Sequence, residues 1–514
     1  MTDSFIHIKK KRDHYEVEGR SSCFVGHQIP SAGDQKADGI YAEWIWDGNR
    51  LIVRNDRYGF YPVYYFVGKD EIAVSTSLSK LIALGAPTHL DEAGLAVFLR
   101  LGFFIGQDTP FEAIRVVPPE CDFEWRTDHF HITGTLPNTK PQDLKRDDVM
   151  DGFTALFRQS IRRRLPVGQS AVPLSGGRDS RHILLELDAA GHRPDICLTL
   201  RHLPPRGDGD AESAEQLAAA LNIGLTIVRQ PQSRLQSELK KNVATGFSTT
   251  EHGWIVPMAE YLQPKVQSLY DGVGGDVLSA GHFLDQKRLD FYEARDFVGL
   301  ASYLCSMEDS TSDKALKPLL SPLQYRKLNY ELAVSHLATE IERHAEAPNP
   351  VGAFFFWNRT RRVAAISPYG LFNSMPNVYS PFLDRDLYDF LASIPAKTFL
   401  DHQLHTDTIA RAYPQFAHVP YEQKNHTVGN RGHYRRYTLE VGKYCLAHPS
   451  PLIRKSFLLP RLARCLALGH ESITWLSALG VYLGQLESLQ DNGTPGPNAE
   501  FDSELEVVSH FEVA

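Results

Sequence analysis

The sequence predicts an α/β protein: a β-rich N-terminal part, then a parallel-sheet domain whose C-terminal part is helical. Three observations carry that expectation. Between about residues 38 and 134, short apolar-alternating segments are punctuated by Asp-Gly and Gly-Lys turns. From residue 147 helical spacing alternates with short apolar runs, the pattern of a parallel sheet covered on both faces. Beyond about residue 287 helical spacing dominates.

Taken in order, the first 37 residues are polar and predict one or two edge strands. IYAEWIW and RLIVRN flank Asp47-Gly48, a hairpin signature, and PVYYFV and IAVST follow as further strands. Asp91 is an acidic N-cap for a helix through Gly94–Leu99 that stops near Gly102. Residues 135–146 (TLPNTKPQDLKR) carry two prolines and few apolar side chains. They read as a linker between one domain at 1–134 and another at 147–491. Met150, Phe153, Phe157 and Ile161 repeat at helical spacing. Ala171–Leu174 is a strand ending in a Gly-Gly loop, and Ile183, Leu184 and Leu187 mark a helix ending at Gly191. Ile196–Leu200 is the next strand, Ala214, Leu217, Ala218 and Leu221 the next helix, and Ile223–Val228 a third strand. From about Asn492 to residue 514 an acidic tail containing Pro and Gly is expected to fray.

Composition narrows the function classes. The 514 residues hold 54 Lys+Arg against 62 Asp+Glu, a formal net charge of -8, with 42% hydrophobic and 23% charged residues. That balance is ordinary for a soluble globular protein and argues against gripping nucleic acid through phosphates; the Arg162–Arg164 run is too short to alter this. No apolar stretch approaches the roughly 18 residues that span a bilayer. The start MTDSFIHIKKKRD leads into no apolar signal core. Six scattered cysteines without a C-x-x-C pair fit reduced thiols rather than a disulfide framework or a zinc site. A cytoplasmic protein with no nucleic-acid or membrane partner is expected.

The sharpest chemical signal is Ser175-Gly176-Gly177-Arg178-Asp179-Ser180, directly after a strand and before a helix. Consecutive glycines let backbone approach an anion, and the helix start presents unpaired N–H groups and a positive dipole end. Ser175 and Ser180 add hydroxyl donors, and Asp179 suits a Mg²⁺ that neutralises phosphates. No Lys-Ser/Thr pair closes the loop, so it is not a Walker A loop. A tight turn with a polar N-cap would explain a bare SGG; the complete string in a strand–loop–helix context favours a phosphate site. Asp271-Gly272-Val273-Gly274-Gly275-Asp276 follows another strand end. Alone it reads as a surface turn. Paired with the first loop it places two carboxylates at carboxyl ends of parallel strands, where ligands sit. His402 and His405, one helical turn apart without a third ligand, read as a solvated face. Phe354-Phe355-Phe356-Trp357 reads as core, and Phe103-Phe104 as interdomain packing. Arg178 either assists anion binding or faces solvent.

These motifs resemble the asparagine synthetase family, whose synthetase domain is a pyrophosphate-loop ATP pyrophosphatase. IRRRLPVGQSAVPLSGGRDSRHILLEL, DGVGGDVLSAG, SPFLDRDLYDFLASIP and VPYEQKNH are similar, in order, to its nucleotide-site segments. WDGNRLIVRNDRYGFYPVYYF, STSLSKLIALG and VVPPE resemble later strands of its N-terminal-nucleophile, glutaminase-like domain. The resemblance implies ATP and Mg²⁺ as cofactors and a reaction that adenylates a carboxylate, releases pyrophosphate and joins the acyl group to an amine or ammonia. By the same resemblance Ser175, Gly176, Gly177, Ser180 and Gly272 cradle pyrophosphate. Asp179 and Asp276 hold Mg²⁺, Lys424 is the cation for the α-phosphate and leaving group, and Leu198 and Leu200 contact adenine through backbone groups.

Two departures bear on the nitrogen source. Glutamine-dependent members start, after Met removal, with a cysteine; here residue 2 is Thr2 and the nearest cysteine is Cys23, and no glutamine-binding segment is visible. The first domain is expected to be a shortened remnant without glutaminase activity. Val273 stands where asparagine synthetases place a glutamate, which puts aspartate as substrate in doubt. The leading expectation is an AMP-forming amide ligase using an amine other than glutamine-derived ammonia. Intramolecular cyclases of the β-lactam synthetase or lasso-peptide type and a non-catalytic nucleotide binder are the alternatives. Partners would be the acid, the amine donor and either a second copy of the chain or a biosynthetic partner protein.

Overall fold

The computed structural model describes residues 4–30, 37–201, 208–231, 233–263, 265–307, 311–422, 433–468 and 474–492. The tail predicted beyond Asn492 and the residues Thr2 and Lys424 lie outside the described residues.

Among the described residues ten strands precede residue 134: β1 (Phe5–Lys10), β2 (Tyr15–Gly19), β3 (Ser22–Ile29), β4 (Asp38–Trp46), β5 (Leu51–Asn55), β6 (Tyr64–Gly68), β7 (Glu71–Ser75), β8 (Arg115–Val116), β9 (Asp122–Arg126) and β10 (His129–Thr133). They form two antiparallel five-stranded sheets, ordered β2-β1-β7-β6-β8 and β10-β9-β5-β4-β3. Ile6, Ile8 and Val74 of one sheet and Trp44, Val53 and Phe123 of the other share one buried core, so the sheets form a sandwich. The described residues of the polar first segment thus hold three strands rather than one or two. β1 is interior, not an edge, because the short alternation of Ile6 and Ile8 buries both completely.

Helix α1 (Leu78–Ala83) and helix α2 (Glu92–Leu101) follow β7. The Asp91 side chain caps α2 and Gly102 ends it at φ 79°. Helix α3 (Arg146–Arg163) leads into the second region. There β11 (Ser170–Pro173), α4 (Arg178–Ala189), β12 (Ile196–Arg201), α5 (Gly209–Ala220), β13 (Leu225–Arg229), α6 (Leu235–Ala244), α7 (Val256–Leu262), β14 (Ser268–Tyr270), α8 (Gly275–Ser279) and β15 (Asn377–Tyr379) build a parallel sheet ordered β13-β12-β11-β14-β15. Strand order reverses between β11 and β14, the switch point at which open α/β sheets bind ligands. Most of the remaining described chain is helical. No helix of the described residues is long and apolar enough to cross a membrane.

Buried arginines join the two regions. Arg164 reaches Asp38 of β4 and Asp384 at 2.7 Å each. Arg361 donates to the carbonyls of Gly59, Gly106 and Val117, and Arg362 to those of Gly106 and Asp108. Both lie in a π-helical stretch, Phe356–Ala364, and the aromatic run Phe354–Trp357 at its start is buried core. Phe103 bridges to Thr249 across the same boundary.

Candidate functional site

The two Gly/Asp loops leave adjacent strands, β11 and β14, and meet at the switch point. Gly177 stands at the N-cap of α4 in extended backbone, and no side chain caps the helix. Its first turn therefore has no side-chain acceptor, the condition for anion binding. The loop before it is internally braced. Ser175 N–H donates to Ser180 Oγ (3.1 Å), Gly177 N–H to Ser175 Oγ (3.2 Å) and Gly176 N–H to Asp210 Oδ1 (2.9 Å). Ser175 and Ser180 hydroxyls lie 3.0 Å apart. Asp210 thus occupies the acceptor position that a phosphate oxygen on Gly176 would take.

In the second loop Asp271 Oδ1 accepts from Val273 N–H and Asp276 Oδ1 from Val277 N–H, each at 2.8 Å. Gly274 turns the chain at φ 89°. The loops touch: a Cβ on Gly272 would lie 2.6 Å from Asp179 Cβ, and one on Gly275 2.5 Å from Asp179 Oδ1. Only glycine permits that approach. Asp179 Oδ1 is buried and accepts no hydrogen bond. Burial first, then the charge of Asp276, hold the Asp179 carboxyl well above the usual carboxylate range. Burial likewise pushes Asp271 up to about 6. An orphaned oxygen among mutually repelling carboxylates is the electrostatic arrangement a divalent cation relieves. No group of three or more His, Cys, Asp and Glu gathers as a metal site among the described residues. A Mg²⁺ held by one or two carboxylates plus phosphate oxygens needs no such cage, so the donor set fits it.

The segment Val419–Glu422 lies against the first loop. Glu422 N–H donates to Gly176 O at 2.9 Å, and a Cβ on Gly176 would meet Glu422 Cβ at 2.7 Å. Arg181 donates to the Val419 and Pro420 carbonyls and lies 3.9 Å from the Tyr421 ring centroid. Arg178 is neither free nor aimed at the loop: it donates to Thr406 Oγ1 at 2.5 Å and faces the Tyr421 ring at 5.4 Å.

Leu198 and Leu200 lie inside β12 and are buried. The Leu198 carbonyl accepts Leu174 N–H at 2.7 Å and is committed to the sheet. Val273 is buried and contributes to the apolar core.

The solvated-face expectation holds for His402, which is exposed, and fails for His405. His402 precedes the helix Leu404–Ala412 in left-handed backbone, so the two are not on one helical face. His405 is fully buried, with Nδ1 2.9 Å from Ser279 Oγ and 3.4 Å from Asp179 Oδ1, and Nε2 3.1 Å from His182 Nδ1. Desolvation lowers His405 to about 3 and His182 well below its ordinary value, so both rings are neutral. Sequence reasoning missed this cluster of His405, Ser279, Asp179 and His182. The available signal was that His405 shares its helix's apolar face with Leu404, Thr408 and Ile409.

In the sandwich, Cys23 and Cys121 are both buried, and burial pushes the Cys121 thiol up. Neither is an accessible thiolate nucleophile.

Residues 25–134 match the family model of a glutamine amidotransferase domain. The chain is 25% identical over 225 residues to the amidase chry2 of Gibberella zeae, covering 39% of this chain and 33% of that protein. It is 24% identical over 259 residues to the glutamine-hydrolyzing asparagine synthetase 1 of Bacillus subtilis, covering 48% of this chain and 40% of that protein. The matches thus span well under half of either relative.

Proposed function

Proceeding from a chain related to the asparagine synthetase family, we propose that it is an ATP-dependent, AMP-forming amide ligase that runs no glutaminase step of its own. One observation carries the reading. Two Gly/Asp loops converge at the switch point and leave a buried Asp179 oxygen unsatisfied beside an uncapped helix start.

The residues divide the work as follows. The first turn of α4 and the Ser175 and Ser180 hydroxyls bind the leaving pyrophosphate, with Asp210 yielding its place on Gly176 N–H. Asp179 and Asp276 hold Mg²⁺, which supplies charge neutralisation to the departing phosphates. We assign Lys424 as the cation for the α-phosphate. Gly272 and Gly275 let the carboxylates approach, and the docked Val419–Glu422 segment covers the loop. The acyl group passes to an amine or ammonia; buried Val273 offers that amine no carboxylate. The buried thiols of the sandwich support a nitrogen source other than glutamine hydrolysed by this chain.

Exchange of labelled pyrophosphate into ATP, run with a panel of carboxylic acids, tests the reading. The cognate acid should support exchange, and Asp179→Ala and Asp276→Ala should each lower it by about 10²–10³-fold, the cost of removing a charge-stabilising group. The same preparation should release no glutamate from glutamine. Exchange that survives both substitutions would sink the assignment.

A further inference from the structure

Behind the Asp179 carboxylate runs a buried line of hydrogen bonds whose direction is assignable atom by atom. Ser279 Oγ donates its one proton to Gly275 O at 2.6 Å. It cannot also donate to His405 Nδ1 at 2.9 Å, so in the neutral ring Nδ1 carries the hydrogen and Ser279 Oγ accepts it. The same nitrogen lies 3.4 Å from Asp179 Oδ1, a close contact short of a hydrogen bond to an oxygen that accepts none. His405 Nε2 is then the acceptor for His182 Nδ1–H at 3.1 Å. His182 Nε2 is left buried without hydrogen or partner, in a ring stacked on Phe157 at 3.8 Å.

That placement is costly for a core. Phe153 and Phe382 flank His405 at centroid distances of 5.2 and 5.6 Å, and Phe153 and Phe157 flank His182, a box that two apolar side chains would fill without an orphaned nitrogen. What the imidazole supplies, and a hydrocarbon does not, is a donor aimed between α8 and the first turn of α4.

We propose that His405 is a positioning residue for the two-loop site. Held by Ser279, the last residue of α8, its Nδ1 side packs against Asp179 in α4 and so braces the two Gly/Asp loops with the Asp179 carboxylate aimed at the cation. It touches neither nucleotide nor metal. The proposal rests on the reading of Asp179 as a cation ligand, and it goes further in naming what orients that ligand.

The test uses the full chain and Mn²⁺ as the probe, with bound Mn²⁺ followed by electron paramagnetic resonance in the presence of ATP. Loss of an orienting partner should weaken Mn²⁺ by about 10- to 100-fold in His405→Leu. Asparagine places an amide N–H near the Nδ1 position and glutamine places one near Nε2. His405→Asn should therefore regain most of the affinity and His405→Gln should not. This contrast stands even where His405→Leu fails to fold. Equal Mn²⁺ affinity in the Asn and Gln variants, or no loss in His405→Gln, overturns the positioning role while leaving the ligase reading intact. A wild-type protein with no ATP-dependent Mn²⁺ signal overturns that reading and the positioning role with it.

Discussion

The two regions of the molecule each hold a carboxylate with a buried oxygen beyond a strand end, and they do so in opposite ways. Asp56, after β5, accepts N–H bonds from Tyr41 (3.0 Å), Tyr58 (2.8 Å) and Gly59 (3.0 Å). Its lone pairs are spent on holding a turn. Asp179, after β11, keeps one buried oxygen with no hydrogen bond and faces a second carboxylate. Burial raises both carboxyls, Asp56 to about 7. A displaced acid is therefore not by itself the mark of a site. The mark is the unspent acceptor, since folding alone gives no reason to leave it so. At Asp56 the sandwich has closed a carboxylate into structure, whereas at Asp179 the parallel sheet has left one oxygen open for a ligand.

Neutralising each acid should separate the two cases most sharply. Asp179→Asn removes a repelled, desolvated charge, so thermal stability should hold or rise while pyrophosphate exchange falls by about 10²–10³-fold. Asp56→Asn should do the reverse. Its amide would turn a donor toward one of three backbone donors and cost about 1–3 kcal/mol in a denaturant melt, with exchange per folded molecule unchanged. Loss of exchange in Asp56→Asn at full stability would erase the distinction.

That contrast was partly legible beforehand, and the legible part was local. The Asp91 cap, the Gly102 stop, the Asp47-Gly48 hairpin and both Gly/Asp loops announce themselves within six or so residues, because capping and turn chemistry act over that range. What the sequence withheld depends on partners far along the chain. Arg164 sits in a run too short to suggest a binding patch, yet it is the buried tie between Asp38 and Asp384. His405 looked like half of an exposed pair because His402 lies near it. The left-handed backbone at His402 breaks that pairing, and the apolar face of the next helix buries His405. The direction of the Gly176 N–H, into Asp210 across the loop, has no local signature either.

A second way to sharpen the comparison is acid. His27, in β3, lies edge-on to Tyr379 of β15 at 5.1 Å, where sandwich meets parallel sheet. Burial, aided by Arg164, lowers it to about 3 from an ordinary 6.5. The unfolded chain binds this proton near pH 6.5 and the folded protein only near 3. Between those values the unfolded state holds more protons, so stability is complete above pH 6.5 and falls as pH falls. At pH 5 the loss from this one group is roughly 2 kcal/mol. His252 and His405 add losses of the same sign, so the informative quantity is a difference. Urea melts at pH 7 and 5 should show a smaller acid loss in His27→Gln than in wild type. Parallel slopes would mean that His27 is not the buried neutral group at this boundary.

The smallest effect expected is at the outer edge of the same boundary. Arg57 makes two hydrogen bonds to Asp389, at 2.9 and 2.6 Å, with its guanidinium 5.3 Å from the Tyr388 ring centroid. The geometry is as favourable as that of buried Arg164, but Asp389 is 46% exposed and water competes for it. Screened pairs of this kind contribute about 0.2–1 kcal/mol. Arg57→Ala should therefore lower the denaturant midpoint only slightly, more at low salt than at high salt, and should keep one cooperative transition for sandwich and parallel sheet together. Two separated transitions in Arg57→Ala would show that the exposed pair, rather than the buried arginines, couples the two regions.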